Sequence, residues 1–229
     1  MSDFARVLIL ETSGKIGQIA LAAEGKIVGV HHLPEARRHA RDLAARLRDL
    51  LAERGWRARD LTAIVVGLGP GSYTGLRVGI ASAKALAYAT GSVLFGVPTF
   101  EAIARSVVGT APALEVIADA QQGQIYVQQF ARQTASAGWE STNGIDIRPF
   151  DEWAGQLAAD TLIAGPAASF YAARLPEGIR LVAEENREAR AEYVLEAACE
   201  NFRYRSNLWE VEPIYMRGSS AEEKRKKEG

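Results

Sequence analysis

Cysteine, histidine and excess charge are all scarce in this chain of 229 residues. The single cysteine, Cys199, excludes an internal disulfide and a cysteine-rich zinc site, and it fits a reducing compartment. The 3 histidines show no zinc-ligand spacing. With 27 Lys and Arg against 28 Asp and Glu, the net charge of −1 argues against a basic protein that binds nucleic acid by itself.

Long hydrophobic runs are also missing. No stretch reaches the ~18 consecutive apolar residues that a membrane helix needs, and no cationic leader precedes the first apolar run at Val7. We therefore expect a cytoplasmic protein. The apolar fraction of 48% is nevertheless enough for one large core or two smaller ones, and it excludes a wholly disordered chain.

The order of apolar runs and turns predicts an α/β unit in each half of the chain. The first half reads as strands at 7–11, 18–22, 26–31, 62–66 and 94–97, with helices at 34–54, 72–89 and 100–107. The second half reads as strands at 114–119, 124–130 and 162–164, with a surface stretch at 135–144 and helices at 151–159, 167–175 and 191–203.

The two halves of the chain share a short sequence pattern of the kind that an internal duplication leaves. An apolar strand ends in an acid, turns at a glycine and returns as a strand both at 10–19 and at 118–125, but the spacing from acid to glycine differs by two residues. Duplication and chance both remain open on this evidence. We expect an N-terminal lobe over 1–107 and a C-terminal lobe over 108–205, with a cleft between them. The last helix should pack back towards the first lobe, and an extension over 206–229 should end in a disordered charged tail.

The densest motif is the glycine-rich segment 69–79, which links a predicted strand to a helix. It lacks the Lys-Ser/Thr of a P-loop, its glycines miss the dinucleotide-binding spacing by one, and Ser72 lacks the flanking glycines of a hydrolase nucleophile. Two interpretations stay open. Backbone amides at a helix start can bind an anion. Alternatively, the small residues of this helix, among them Gly75, Gly79 and Ala83, permit close packing.

A few polar residues follow predicted strands and could face a phosphate in the cleft. They are Thr12, Ser13, Gly71, Ser72 and Asp119. Each has an ordinary structural explanation as well, because turns and helix caps favour the same residue types. The arginines of the first helix, including Arg37 and Arg41, similarly fit either a solvated face or a docking surface.

Several segments together resemble the TsaB (YeaZ) family. The resemblance is carried by Ile-Leu-Glu-Thr-Ser at 9–13, the long glycine motif at 69–79, Gly-Val-Pro-Thr at 96–99 and Pro-Ile-Tyr-Met-Arg at 213–217. The glycine motif is specific, whereas the others are weak individually but occur in the family's order over nearly the whole chain. One departure is Glu11, where the family more often has Asp.

The resemblance implies a fold and a role. The expected fold is two RNase H-like lobes of the actin/Hsp70/sugar-kinase (ASKHA) type. The expected role is that of a non-catalytic partner of the threonylcarbamoyl transferase TsaD, which makes N6-threonylcarbamoyladenosine (t6A) beside the anticodon of tRNA. The ATPase TsaE would join the complex, the chain alone would form a homodimer, and it would meet tRNA only indirectly.

At two positions this chain differs from the catalytic relatives in the resemblance. TsaD-type relatives carry two metal-binding histidines after their Gly-Val segment, and those positions correspond here to Thr99 and Ile103. Neither side chain offers an imidazole nitrogen, so we expect no catalytic residue and no metal site. We expect no cofactor either, except that ATP or ADP could bind at an interface within a complex.

Three functions remain to be weighed. In the first, the chain docks on TsaD through the first helix and the small-residue helix, with the contacts made by Arg37, Arg41, Leu47, Gly75, Gly79 and Ala83. The alternative is an ATP-binding phosphotransferase or ATPase that uses the cleft, which rests on fold analogy. A peptidase ranks last because no nucleophile, base or metal site supports it.

Overall fold

The computed structural model describes residues 2–15, 17–33, 39–134, 137–214 and 216. Two six-stranded sheets organise these residues, one in each half of the chain. The helices are α1 (His39–Glu53), α2 (Tyr73–Thr90), α3 (Thr99–Ser106), α4 (Phe150–Ala154), α5 (Ala168–Tyr171) and α6 (Ala191–Glu200). None of these helices combines the length and the hydropathy that a membrane crossing requires.

The first sheet has the strand order β12-β5-β4-β1-β2-β3. Its strands are β1 (Arg6–Glu11), β2 (Gly17–Ala23), β3 (Lys26–Leu33), β4 (Ala63–Gly67), β5 (Val93–Val97) and β12 (Arg205–Ser206). β1, β2 and β3 form an antiparallel meander, while β4 and β5 run parallel to β1. The wholly buried β4 has a helical layer on each face, which explains why its sequence is apolar throughout.

The second sheet repeats this arrangement. Its path is β11-β10-β6-β7-β8, and β9 also pairs with β7. The strands are β6 (Ala113–Asp119), β7 (Gln124–Ala131), β8 (Glu140–Ser141), β9 (Asp146–Pro149), β10 (Leu162–Ala164) and β11 (Arg180–Leu181). Again an antiparallel hairpin is extended by parallel strands, so the predicted α/β fold with two RNase H-like lobes is confirmed.

The helices cover both faces of each sheet. In the first lobe α1 and α2 pack on one face and α6 on the other. In the second lobe α4 and α5 cover one face, and α3 contributes Phe100 and Ile103 to the core of the other. α6 follows the second lobe in sequence but packs on β1, β4 and β5 of the first. At its start, the Gln18 side-chain oxygen accepts a hydrogen bond of 2.9 Å from the Ala191 amide.

Several predicted boundaries were wrong. The helix predicted over 151–159 ends at Ala154, next to Gly155, a poor helix former. The one predicted over 167–175 becomes α5 and a short 3₁₀ turn, and α6 ends at Glu200 instead of Arg203. The stretch predicted as surface contains β8, and the sequence did not reveal β9. The predicted helix start at Pro34 and the charged tail lie outside the described residues.

Candidate functional site

The carboxyl end of β1 is the centre of a buried polar cluster. Glu11 is 2% exposed, and its Oε1 accepts a 2.7 Å hydrogen bond from the Ser13 amide. Its Oε2 accepts one of 3.3 Å from the Thr99 hydroxyl at the start of α3. The same hydroxyl accepts a 3.0 Å bond from the Gly69 amide. The Glu11 carboxylate therefore connects three chain segments that meet at the edge of the first sheet.

Burial raises the pKa of Glu11 above its ordinary value, although the Ser13 and Thr99 hydrogen bonds oppose the shift. Glu188, in the segment before α6, is electrostatically coupled to it. Glu188 is an exposed residue, yet desolvation of its carboxyl group and then repulsion from Glu11 raise its pKa to about 7, against a smaller opposite effect of Lys15. Two carboxyl groups with raised pKa values thus lie near one another at the end of β1.

The proposed phosphate-binding hydroxyls of the first lobe already have partners inside the protein. Thr12 is fully buried and donates a 2.8 Å hydrogen bond to the Gly75 carbonyl. Ser13 is 6% exposed and its hydroxyl bonds to Glu11. The Ser72 hydroxyl caps α2 by accepting a 3.2 Å bond from the Gly75 amide, as its position before the helix predicts.

The remaining candidates of this group are Gly71 and Asp119. A Cβ at Gly71 would lie 2.8 Å from that of Ser13, so this glycine permits the loop after β4 to touch the end of β1. Asp119 ends β6 in the second lobe, is exposed, and accepts a 2.8 Å bond from the Gln121 amide within its own turn. The structure thus brings Thr12, Ser13, Gly71 and Ser72 together, while Asp119 lies in the other lobe.

The small residues of α2 face the inside of the lobe. A Cβ at Gly75 would overlap the Thr12 carbonyl, and one at Gly79 would overlap the Thr12 hydroxyl. Ala83 is fully buried in the core beside the sheet. The prediction that these three residues form a docking surface is therefore corrected. Their small size allows α2 to approach the end of β1, which leaves them no surface to offer a partner.

A different face of α1 and α2 is open to solvent. The two helices border an apolar groove with a volume of about 570 Å³. We call it the α1–α2 groove, and its lining residues are Leu43, Ala44, Leu47, Arg48, Leu51, Ala52, Trp56, Arg57, Ala58, Ser82, Ala85 and Leu86. Of the predicted docking residues only Leu47 lines it. Arg37 and the side chain of Arg41 lie outside the described residues.

Sequence reasoning missed most of the groove. Leu43 and Leu51 belong with Leu47 to the apolar stripe of a helix, which usually means core, and only Leu47 was predicted to contact a partner. The available signal was the width of that stripe. Ala44 and Ala52 extend it beyond the side that packs on the sheet, and both are exposed.

Comparisons with known proteins give the family. The family model for TsaD, tRNA N6-adenosine threonylcarbamoyltransferase, matches residues 18–140. Escherichia coli tRNA threonylcarbamoyladenosine biosynthesis protein TsaB is 28% identical over 225 residues, covering 94% of this chain and 96% of that protein. The crystal structure of YeaZ from Pseudomonas aeruginosa is 25% identical with a TM-score of 0.76, covering 93% of this chain and all of that one. The chain belongs to the TsaD family, and within it to TsaB (YeaZ).

A further match covers only part of the chain. An uncharacterized protein of Mycobacterium tuberculosis is 33% identical over 138 residues, which cover 60% of this chain and 62% of that protein. This alignment thus spans less than two thirds of the mycobacterial relative.

The two positions at which the resemblance places histidines in TsaD-type relatives are buried parts of the fold in this chain. Thr99 is 3% exposed and bonds to Glu11, and Ile103 is 1% exposed in the core of the second lobe. Among the described residues, no group of three or more His, Cys, Asp or Glu side chains is arranged to hold a metal ion.

Proposed function

We propose that this TsaB-family chain is a non-catalytic partner of a TsaD-type transferase in the formation of t6A next to the anticodon of tRNA. The similarity to Escherichia coli TsaB over 94% of the chain supports the pathway. The observation that carries the non-catalytic role is the pair Thr99 and Ile103, a hydroxyl and an aliphatic side chain where the resemblance requires two histidines. Such a pair cannot supply nitrogen ligands to a metal.

The α1–α2 groove is the surface that we propose for the partner. Its walls are mostly leucine and alanine side chains, with Trp56 at one end and Arg48 and Arg57 at the rim. An apolar centre with a polar border is the usual composition of a protein interface. The match of the TsaD family model spans α1 and α2, so a TsaD-type relative would have its own counterparts of these helices. In the chain alone, a second copy would cover the groove and form the homodimer.

The wider complex is part of the same proposal. A TsaE-type ATPase would join the pair, tRNA would be contacted mainly by the other components, and the location would be the cytoplasm. The isolated chain would hold no nucleotide between its lobes, since the Thr12 and Ser13 hydroxyls already have partners inside the protein. ATP or ADP would then bind only at an interface of the complex, which calorimetric titration can test.

The direct test uses two neighbouring alanines of α1. Ala44 lines the groove, while Ala45 is equally exposed but is not part of it. We expect Ala44→Arg to weaken binding of the TsaD-type partner at least tenfold and to lower t6A formation on tRNA in a reconstituted reaction. Ala45→Arg, with the same added charge and volume, should stay within twofold of the wild type.

Both variants are to be compared with the wild type by thermal melting first. A folded Ala44→Arg protein that binds its partner normally would refute the groove as the docking site. If omitting the chain leaves t6A formation unchanged, the proposed role in the pathway is wrong altogether.

A further inference from the structure

The segment that follows β12 forms a second surface element beside α2. We call residues 207–214 the C-terminal strap. Its Glu212 forms a 3.1 Å salt bridge with Lys84 of α2, and its Ile214 amide donates a 2.9 Å hydrogen bond to the Leu68 carbonyl after β4. Because β12 pairs with β5, which directly follows α2, the strap runs from the C-terminal end of α2 towards its N-terminal end.

The strap is a fixed part of the first lobe. Val211 is 2% exposed and belongs to the same core as Ala83 and Ala87 of α2, and Leu208 packs against that core. Burial of these two side chains and the bonds at Glu212 and Ile214 hold the strap against the helix. Its outward side chains are therefore presented from a rigid position, which reduces the entropic cost of binding a partner through them.

Two large aromatic side chains are left exposed along this edge. Tyr88 is 77% exposed and lies one helical turn after Lys84. Trp209 is 78% exposed and precedes Glu212 by three residues. Because the strap runs in the opposite direction to α2, a strap residue before Glu212 lies further towards the C-terminal end of the helix. Tyr88 therefore belongs to the C-terminal half of α2, and Trp209 to the part of the strap that runs beside that half. Tryptophan and tyrosine are the residue types most enriched among the dominant contacts of protein interfaces.

The outer surface of α2 connects these aromatic side chains with the α1–α2 groove. Ala85 lines the groove, and both it and Ala81 are exposed on the helix between the groove and the strap. Their small side chains let another backbone approach closely. The groove, the outer face of α2 and the strap thus form one continuous surface.

We propose that the TsaD-type partner contacts this whole surface and that Tyr88 and Trp209 anchor the edge beyond the groove. The inference rests on the proposed function. A stable interface buries about 800 Å² and about 20–30 residues on each side, whereas the groove is lined by 12 residues. A partner seated in the groove must therefore extend over its borders, and the strap side offers the exposed aromatic area.

The test is to substitute each aromatic residue by alanine and to measure the affinity for the purified TsaD-type partner. We expect Tyr88→Ala and Trp209→Ala each to raise the dissociation constant about tenfold or more. Phe170→Ala is the matched control, because Phe170 is also 77% exposed but belongs to the second lobe. It should change the dissociation constant less than twofold. All three side chains are exposed, so thermal melting should show folded proteins.

The outcomes separate this inference from the proposed function. If Ala44→Arg abolishes binding while Tyr88→Ala and Trp209→Ala leave it unchanged, the groove remains the docking site and the extension to the strap is wrong. The extension is equally wrong if the aromatic variants affect only self-association, or if Phe170→Ala weakens binding as much. Failure of the wild type to bind the partner would overturn the proposed function together with this inference.

Discussion

Glu11 and Glu188 are two carboxyl groups whose surroundings favour the protonated form. Glu11 is enclosed at the end of β1, where it accepts hydrogen bonds from the Ser13 amide and the Thr99 hydroxyl. Desolvation raises its pKa, and the negative charge of its ionised form contributes to the raised pKa of Glu188. A proton taken up by either group in the folded state relieves both desolvation and mutual repulsion, so folding and protonation are linked.

This linkage predicts a dependence of stability on pH. Because the pKa of Glu188 rises from 4.5 to about 7 on folding, the folded state binds more protons than the unfolded state in that interval. With respect to this group, the free energy of unfolding should be highest at and below about pH 4.5 and should decrease as the pH rises to about 7. In Glu188→Gln the free energy of unfolding should fall less over this pH range. Urea titrations at several pH values can measure the difference.

Glu210→Gln provides the comparison, since Glu210 is an exposed glutamate on the C-terminal strap. That variant should reproduce the pH profile of the wild type. An identical profile for Glu188→Gln would show that Glu188 titrates alike in the folded and unfolded states.

At the scale of elements, the contact between α2 and the end of β1 explains the glycine motif. The four-residue repeat of Gly75, Gly79 and Ala83 correctly predicts a helix face that permits close approach. What approaches it is the backbone and side chain of Thr12, with its hydroxyl bonded to the Gly75 carbonyl. Periodicity identifies the face, but the segment that packs on it is 63 residues away in sequence and only the fold brings it there.

Gly79→Ala should therefore destabilise the protein, although alanine favours helices. The added Cβ would overlap the Thr12 hydroxyl, and overpacking of this kind costs about 1–3 kcal/mol. In a Thr12→Ala background the same substitution should cost less than half as much, because the overlapping oxygen is gone. Denaturant unfolding of the four proteins measures this coupling.

Gly138→Ala serves as the control, because a Cβ added at Gly138 would meet no heavy atom within 4 Å. We expect its effect to remain within about 0.5 kcal/mol. Equal costs of Gly79→Ala with and without the Thr12 side chain would contradict the packing explanation.

At the scale of the whole molecule, the sheets of the two lobes share the same strand order, and α6 joins the second lobe to the first. The carboxyl ends of parallel strands bind ligands in many α/β proteins. Here the first lobe fills that region with its own Glu11, Thr12 and Ser13.

Titration of the isolated chain with ATP and Mg²⁺ should consequently give no binding heat at millimolar nucleotide. The physical reason is that the Thr12 and Ser13 hydroxyls already have partners inside the protein. The complex with the TsaD-type partner should be titrated in parallel, so that binding at an interface is distinguished. A saturable isotherm for the isolated chain would restore the phosphotransferase alternative.

Local patterns were sufficient where local physics decides the structure. The Ser72 cap, the apolar β4 and the antiparallel hairpins could all be predicted, because capping, burial and turn formation depend on neighbouring residues. The strand β9 and the early end of α4 were missed, since β9 is only four residues long and depends on pairing with β7.

The sequence by itself determined the α/β fold with two lobes, the family, and the hydroxyl and aliphatic side chains at Thr99 and Ile103. These follow from residue types, their order and their spacing. Only the tertiary structure decided which side of α2 faces inward. A small residue can serve an internal contact or an external one, and the choice depends on where Thr12 lies after folding. For the same reason the α1–α2 groove and the exposed Tyr88 and Trp209 emerged only with the fold, because exposure is a property of the packed chain.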